Sequence, residues 1–294
     1  MREATRGLLL GSLAAVIWGS TYVTMRLLYR VSDIDPVGLA FSRFLIGALV
    51  LTAVTVARGE ARHLTAFVRE PLPFFWLGLT GVAALGILGA AASELTAAVN
   101  VSLVLNANPV FVALLAPLSG EPLTVRRLTG AVIGLAGVAV VALAGTPSGP
   151  VSTRGEELWG VLAAVGAALG WAIYTLLGKG VVRRYGGLLT TTLAMGWGTL
   201  LLAALMVVTP LPRHLPPTAI GLLLYLGLVP SALAFALWYR ALAVVDAATL
   251  APTQYLAPLG TAVLAWLLLG ERIGFSFLVA LLLVFVGIRL ATRP

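Results

Sequence analysis

The 294-residue chain is 60% hydrophobic and only 10% charged, with a mean hydropathy of +1.03. A soluble domain carries about 25% charged residues, so a fully water-facing surface is excluded and the whole chain reads as embedded in a membrane. The net charge of +8 and the pI near 10.6 do not indicate nucleic acid, because lysine and arginine are scattered at the ends of apolar stretches as topology signals and interfacial anchors.

A spanning helix needs roughly 20 mostly apolar residues. Breaks at charges, prolines and glycines yield ten such segments: 7–29, 37–57, 74–94, 97–117, 126–145, 157–178, 187–208, 217–239, 247–269 and 273–291. The first begins after Arg2 and Arg6 like a signal peptide. It is long enough to span and lacks a small-residue cleavage site, so it reads as a retained helix. The second carries Arg43 about seven residues from its start, and the third ends near Glu94. The fourth contains Ser102, Asn106 and Asn108-Pro109, and Gly120-Glu121 follows it. Between the fifth and sixth segments, 146–156 reads as a linker. The sixth carries Trp171, Tyr174 and Thr175, and the eighth carries Pro230. The ninth holds Pro252, Thr253, Gln254, Tyr255 and Pro258, and ends at Gly270-Glu271.

There are no cysteines, and His63 and His214 both lie in polar connections, so thiol chemistry is excluded and no metal or other cofactor is expected. With the N-terminus inside, thirteen lysines and arginines fall on the inner side and five on the outer, which predicts that both termini are cytoplasmic.

The two halves resemble each other. Gly11 to Val16 matches Gly160 to Val165 at an offset of 149, and Leu128 to Gly137 matches Leu278 to Gly287 at an offset of 150. Pro109 with Gly120-Glu121 is echoed by Pro258 with Gly270-Glu271. An odd number of helices per half makes the halves enter from opposite sides. The expected fold class is therefore all-α integral membrane: a repeat over 1–145, the linker, and an inverted repeat over 157–294. Glycine pairs four apart, such as Gly130 and Gly134 or Gly166 and Gly170, read as helix-packing faces.

Ten helices in two halves, Trp18-Gly19-Ser20-Thr21, Ser42-Arg43-Phe44-Leu45 and the two Pro…Gly-Glu pairs together resemble the EamA family of the drug/metabolite transporter superfamily. The resemblance covers essentially the whole chain. Within the family it is nearest to YddG-type amino-acid exporters of the bacterial inner membrane. It implies export of amino acids, aromatic ones among them, by alternating access through a central cavity. The four-helix drug exporters of the superfamily use a glutamate midway along the first helix, and this chain has no acid between Gly7 and Tyr29. Phosphorylated substrates are disfavoured because Arg43 is the one clear intramembrane cation.

Candidate cavity residues are the polar and aromatic ones near segment centres. Trp18, Thr21 and Tyr22 share a region of the first helix, and Trp171, Tyr174 and Thr175 repeat the pattern in the sixth. They either stack on an apolar substrate or pack between helices. Ser102 and Asn106 share a face, whereas Asn108 projects to nearly the opposite one, so at most one asparagine is expected at the cavity. Gln254 and Tyr255 lie at matching depth in the ninth segment. Each amide serves either a substrate or a helix–helix hydrogen bond. Pro109, Pro252 and Pro258 are hinge candidates or static kinks. Pro109 frees the Leu105 carbonyl, Pro258 that of Gln254, and Pro230 that of Leu226, to line a cavity or be met by neighbours. Arg43 either pairs with a substrate carboxylate or serves a structural role, with the latter preferred. Glu121 and Glu271 read as structural, each preceding a helix start.

No Ser/His/Asp set, paired carboxylates or metal spacing lies in the spans, so the chain is not read as an enzyme. The expected partners are a small-molecule substrate, an amino acid, and the lipid bilayer, with no nucleic acid and no obligate protein partner. A lipid-processing enzyme, an exporter of other metabolites or drugs, and a passive channel are the competing readings.

Overall fold

The computed structural model describes residues 2–115, 117, 124–144, 154–242, 244, 253–254 and 256–292. Among these every regular element is helical. Six helices are long and apolar enough to cross a membrane: Ala4–Val31, Pro36–Ala57, Pro71–Leu95, Gly155–Gly178, Gly187–Leu205 and Pro217–Trp238. They correspond to the first, second, third, sixth, seventh and eighth segments. Ala98–Val112, Leu128–Val140, Leu256–Leu269 and Phe275–Gly287 are shorter apolar helices in the remaining four.

Local chemistry sets the helix ends. Asp35 caps the second helix, its Oδ1 accepting from Val37 N (2.8 Å) and Gly38 N (3.0 Å), and Pro36 takes the first helical position, where a missing N–H costs nothing. The third helix starts at Pro71, before the expected position 74, for the same reason. The sixth runs from Arg154 to Tyr185, past the expected 178. Its cationic residues stay helical beyond the apolar stretch, and Gly186 stops it at φ +75°.

Three segments depart from continuous α-helix. The fourth breaks at Ala107 between Ala98–Asn106 and Asn108–Leu115. Pro109 explains the break, since it has no N–H for the Leu105 carbonyl. The third and eighth each contain a π-helical turn, Leu79–Ala84 and Gly227–Leu233. Pro230 lies within the second of these. The ninth segment is described as a helix over Leu256–Leu269, with Pro258 buried within it.

On the first and sixth helices small residues face inward. Ala14, Ala15, Ala164, Ala167 and Ala168 are fully buried, whereas Leu9, Leu13 and Leu162 on the same helices are exposed. Small residues let backbones approach, and large aliphatic ones form an outer apolar belt. A Cβ on Gly19 would come within 2.7 Å of the Ala257 carbonyl, and one on Gly137 within 2.8 Å of the Ala280 carbonyl. The first helix thus touches the ninth, and the fifth touches the tenth, backbone to backbone. Likewise the third lies on the seventh through Gly78, and the eighth on the second through Gly227.

The end of the first helix near Val31 is tied by charge. Glu271 is buried, and its carboxylate accepts from Ala98 N (3.0 Å) and Val99 N (3.4 Å) and lies 3.4 Å from Arg26 Nε. Arg26 also donates to the Thr96 carbonyl, and Arg30 Nη2 to the Leu269 carbonyl (3.0 Å). Glu271 was expected to serve the helix that follows it. Instead it caps the start of the fourth segment, because Gly270 at φ +70° turns the chain back and the Glu271 N–H bonds the Ala265 carbonyl (3.2 Å). Glu121, the linker residues 146–153, Pro252 and Tyr255 lie outside the described residues.

Candidate functional site

Seven segments converge on one cavity enclosing about 650 Å³ of empty space, its mouth included. The first helix supplies Trp18, Thr21, Tyr22 and Met25, a continuous stripe at three- and four-residue spacing. The second supplies Arg43, the third Leu85 and Gly89, and the fourth Leu105, Asn106 and Asn108. Trp171 comes from the sixth, Phe235 from the eighth and Gln254 from the ninth.

One wall is aromatic. Trp18 meets Phe235 edge-on at 5.5 Å between centroids, Trp238 at 5.4 Å and Trp171 at 6.4 Å. Trp171 meets Phe235 at 5.9 Å. The rings are held by polar tips as well as packing: Trp18 Nε1 donates to the Pro230 carbonyl (3.1 Å), in the π-helical turn. Such a wall accepts an apolar or aromatic group by edge and face contacts.

The polar groups are few. Arg43 is 8% exposed; its Nε donates to Ser231 Oγ (2.8 Å) and its guanidinium lies 4.7 Å from the Phe44 ring centre. Ser231 Oγ in turn donates to the Leu226 carbonyl (2.8 Å), the group that Pro230 leaves without its usual donor. Thr21 Oγ1 is buried with no hydrogen-bond partner among the described residues. Asn106 Nδ2 donates to the Ser102 carbonyl (2.7 Å), and Asn108 Nδ2 to the Leu105 carbonyl (3.1 Å). Both proline-freed carbonyls, Leu105 and Leu226, are therefore met by nearby side chains, as in a satisfied kink.

Several expected residues are placed differently. Both asparagines line the cavity, not one, because the break at Ala107 resets the helical phase between them. Ser102 is buried away from it. Thr261 Oγ1 lies 2.8 Å from Ser102 Oγ, 2.6 Å from the Gly19 carbonyl and 2.9 Å from the Ala257 carbonyl. This hydroxyl joins the first, fourth and ninth segments. Thr261→Val keeps the shape and removes the hydrogen bonds, and is expected to lower unfolding stability in detergent by about 1–3 kcal/mol; an unchanged denaturation midpoint would refute the role. Tyr174 stacks on Trp171 (5.2 Å) and packs over Gly81, outside the lining. Thr175 Oγ1 bonds its own helix at the Trp171 carbonyl (2.8 Å). The backbone of Pro109 follows the break directly, and Pro258 is buried beside the first helix.

Sequence reasoning missed Met25, Leu85, Gly89 and Phe235 in the lining and named Leu105 only for its carbonyl. Met25 was readable, since it continues the Trp18–Thr21–Tyr22 stripe. Phe235 had only its position five residues after Pro230 to mark it.

The sequence pattern of the EamA-like transporter family matches residues 5–143 and 158–293. An uncharacterized transporter of Archaeoglobus fulgidus is 32% identical over 287 residues, 97% of this chain and 96% of that protein. A probable terminal-alkyne amino-acid exporter of Streptantibioticus cattleyicolor is 31% identical over 88% of this chain and 84% of its own. The aromatic amino acid exporter YddG of Ancylobacter novellus is 27% identical over 85% and 84%. One solved structure aligns with a TM-score of 0.67 at 24% identity, covering 97% of this chain and 96% of that one, which is a likeness of fold.

Proposed function

Because the chain belongs to the EamA-like transporter family, within the drug/metabolite transporter superfamily, and is a multi-pass membrane transporter and not an enzyme, we propose that it exports amino acids, aromatic and other neutral ones, across a bacterial inner membrane. Transport proceeds by alternating access through the cavity described above. The chain forms ten spans with both termini cytoplasmic, arranged as a five-helix repeat over 1–145, a linker over 146–156 and an inverted repeat over 157–294.

The observation that carries the substrate reading is the meeting of Trp18, Trp171 and Phe235 at a cavity that also holds Arg43, Thr21 and two asparagines. An amino acid with an apolar side chain needs that mixture. Two relatives named as amino-acid exporters support it. Exchange of helix contacts supports the inverted repeat: the third on the seventh mirrors the eighth on the second, and the two π-helical turns mirror each other. Pro109, which follows the break at Ala107, serves as a hinge together with Pro258 and Pro252 of the ninth segment.

Purified protein in liposomes is expected to exchange labelled phenylalanine, tryptophan or leucine for internal unlabelled substrate with saturation. Uptake that never saturates and shows no exchange would instead identify a channel, and no uptake of any amino acid would refute the reading. Among the described residues no carboxylate lines the cavity, so facilitated export down a gradient is expected. A several-fold rise in uptake under an imposed pH gradient would overturn that.

A further inference from the structure

We propose that Arg43 reads a carboxylate, so that this transporter accepts substrates with a free carboxylate and rejects their amides, esters and decarboxylated amines. The inference rests on the transport reading for the cavity's role as the substrate site, and narrows what that site takes.

Arg43 lies in a span of 22 residues and is 92% withdrawn from solvent by its 8% exposure. It forms no ion pair among the described residues. Of its five N–H donors, Nε–H is committed to Ser231, and the other four have no acceptor among the described residues. The ring of Phe44 offsets part of the charge on one face. An unpaired cation at this depth is costly, and an anion entering the cavity relieves that cost. The Ser231 contact holds the side chain from its Nε edge, itself anchored on the Leu226 carbonyl, so the outer edge of the guanidinium is presented in a fixed orientation. A planar two-oxygen anion matches that edge.

A carboxylate fits better than a phosphate. No second cation lines the cavity among the described residues, and a phosphate monoester of about −1.5 to −2 charge would remain uncompensated. The asparagines complete a zwitterion site. Each Nδ2 gives one of its two N–H groups to the Ser102 or Leu105 carbonyl, and the Oδ1 atoms have no donor among the described residues, leaving acceptors suited to an ammonium.

The test compares matched ligands on the reconstituted full-length protein. Unlabelled phenylalanine, phenylalaninamide, phenethylamine and 3-phenylpropionate compete against labelled phenylalanine exchange, and each is also titrated against the thermal midpoint of the protein in detergent. Phenylalanine and 3-phenylpropionate are expected to act at concentrations roughly ten- to a hundredfold lower than the uncharged or cationic analogues, the range for a hydrogen bond between charged groups. Arg43→Gln should shrink that ratio to about twofold or less, Arg43→Lys should keep part of it, and Ser231→Ala should reduce it by loosening the guanidinium. Should Arg43→Gln fail to fold, the wild-type ligand ratios still decide. Equal potency of phenylalanine and its amide, or a ratio unchanged in folded Arg43→Gln, overturns the proposal. Absence of exchange for every amino acid refutes the amino-acid reading alone. In that case 3-phenylpropionate against 3-phenylpropionamide in the thermal assay decides the role of Arg43, and equal shifts overturn it.

Discussion

Glu271→Gln is expected to destabilise the protein by about 3–5 kcal/mol, the usual cost of removing one member of a buried ion pair. The carboxylate is buried, faces Arg26 at 3.4 Å and receives the N–H groups of Ala98 and Val99. Glutamine retains the shape but removes the charge that faces Arg26 and weakens the cap on a helix start. Chemical denaturation in detergent gives the loss directly. The double variant with Arg26→Gln should recover part of it, because the cation that faced the lost carboxylate is then gone as well. A single variant within about 0.5 kcal/mol of the parent, the scatter of ordinary surface changes, would show that the pair is not a structural clamp.

Gly198→Leu should also destabilise the protein. A Cβ at Gly198 would overlap Val82 and come within 2.8 Å of the Gly78 carbonyl, and one at Gly78 would lie 2.8 Å from the Ala194 carbonyl. The third and seventh helices are therefore in backbone contact. A four-carbon side chain has to push them apart, at a cost of about 1–3 kcal/mol or more. Gly221, with nothing within 4 Å of its added Cβ, is the control. Size-exclusion profiles and thermal midpoints should separate Gly198→Leu sharply from Gly221→Leu. Similar behaviour of the two would remove the close-packing argument.

Much of this was readable in the chain because a bilayer restricts composition so strongly. The apolar stretches located the helices to within a few residues, missing chiefly where proline begins a helix, as at Pro71, or where charged residues continue one, as before Gly186. The cavity stripe of the first helix followed from 3.6-residue spacing. Reading the sixth helix by analogy did less well. Trp171 lines the cavity, but Tyr174 turns aside because Gly81 on the third helix opens a slot for its ring, and that neighbour is 93 positions away in the chain. The two asparagines were assigned to opposite faces on the assumption of an unbroken helix. Pro109 was visible, but the resulting change of phase at Ala107 was not. The partner of Glu271 lay furthest out of reach, since periodicity carries no information about which distant helix start a turn residue will meet.

That separation of 173 positions between Glu271 and the N–H of Ala98 has a consequence in time. Ribosomal synthesis at roughly 5–20 residues per second leaves the start of the fourth segment without its carboxylate for about ten to thirty seconds after it emerges. Through that interval the contact of Arg26 with Glu271 is also unmade. The cap at the start of the fourth segment is thus completed only once the turn after the ninth segment has been made.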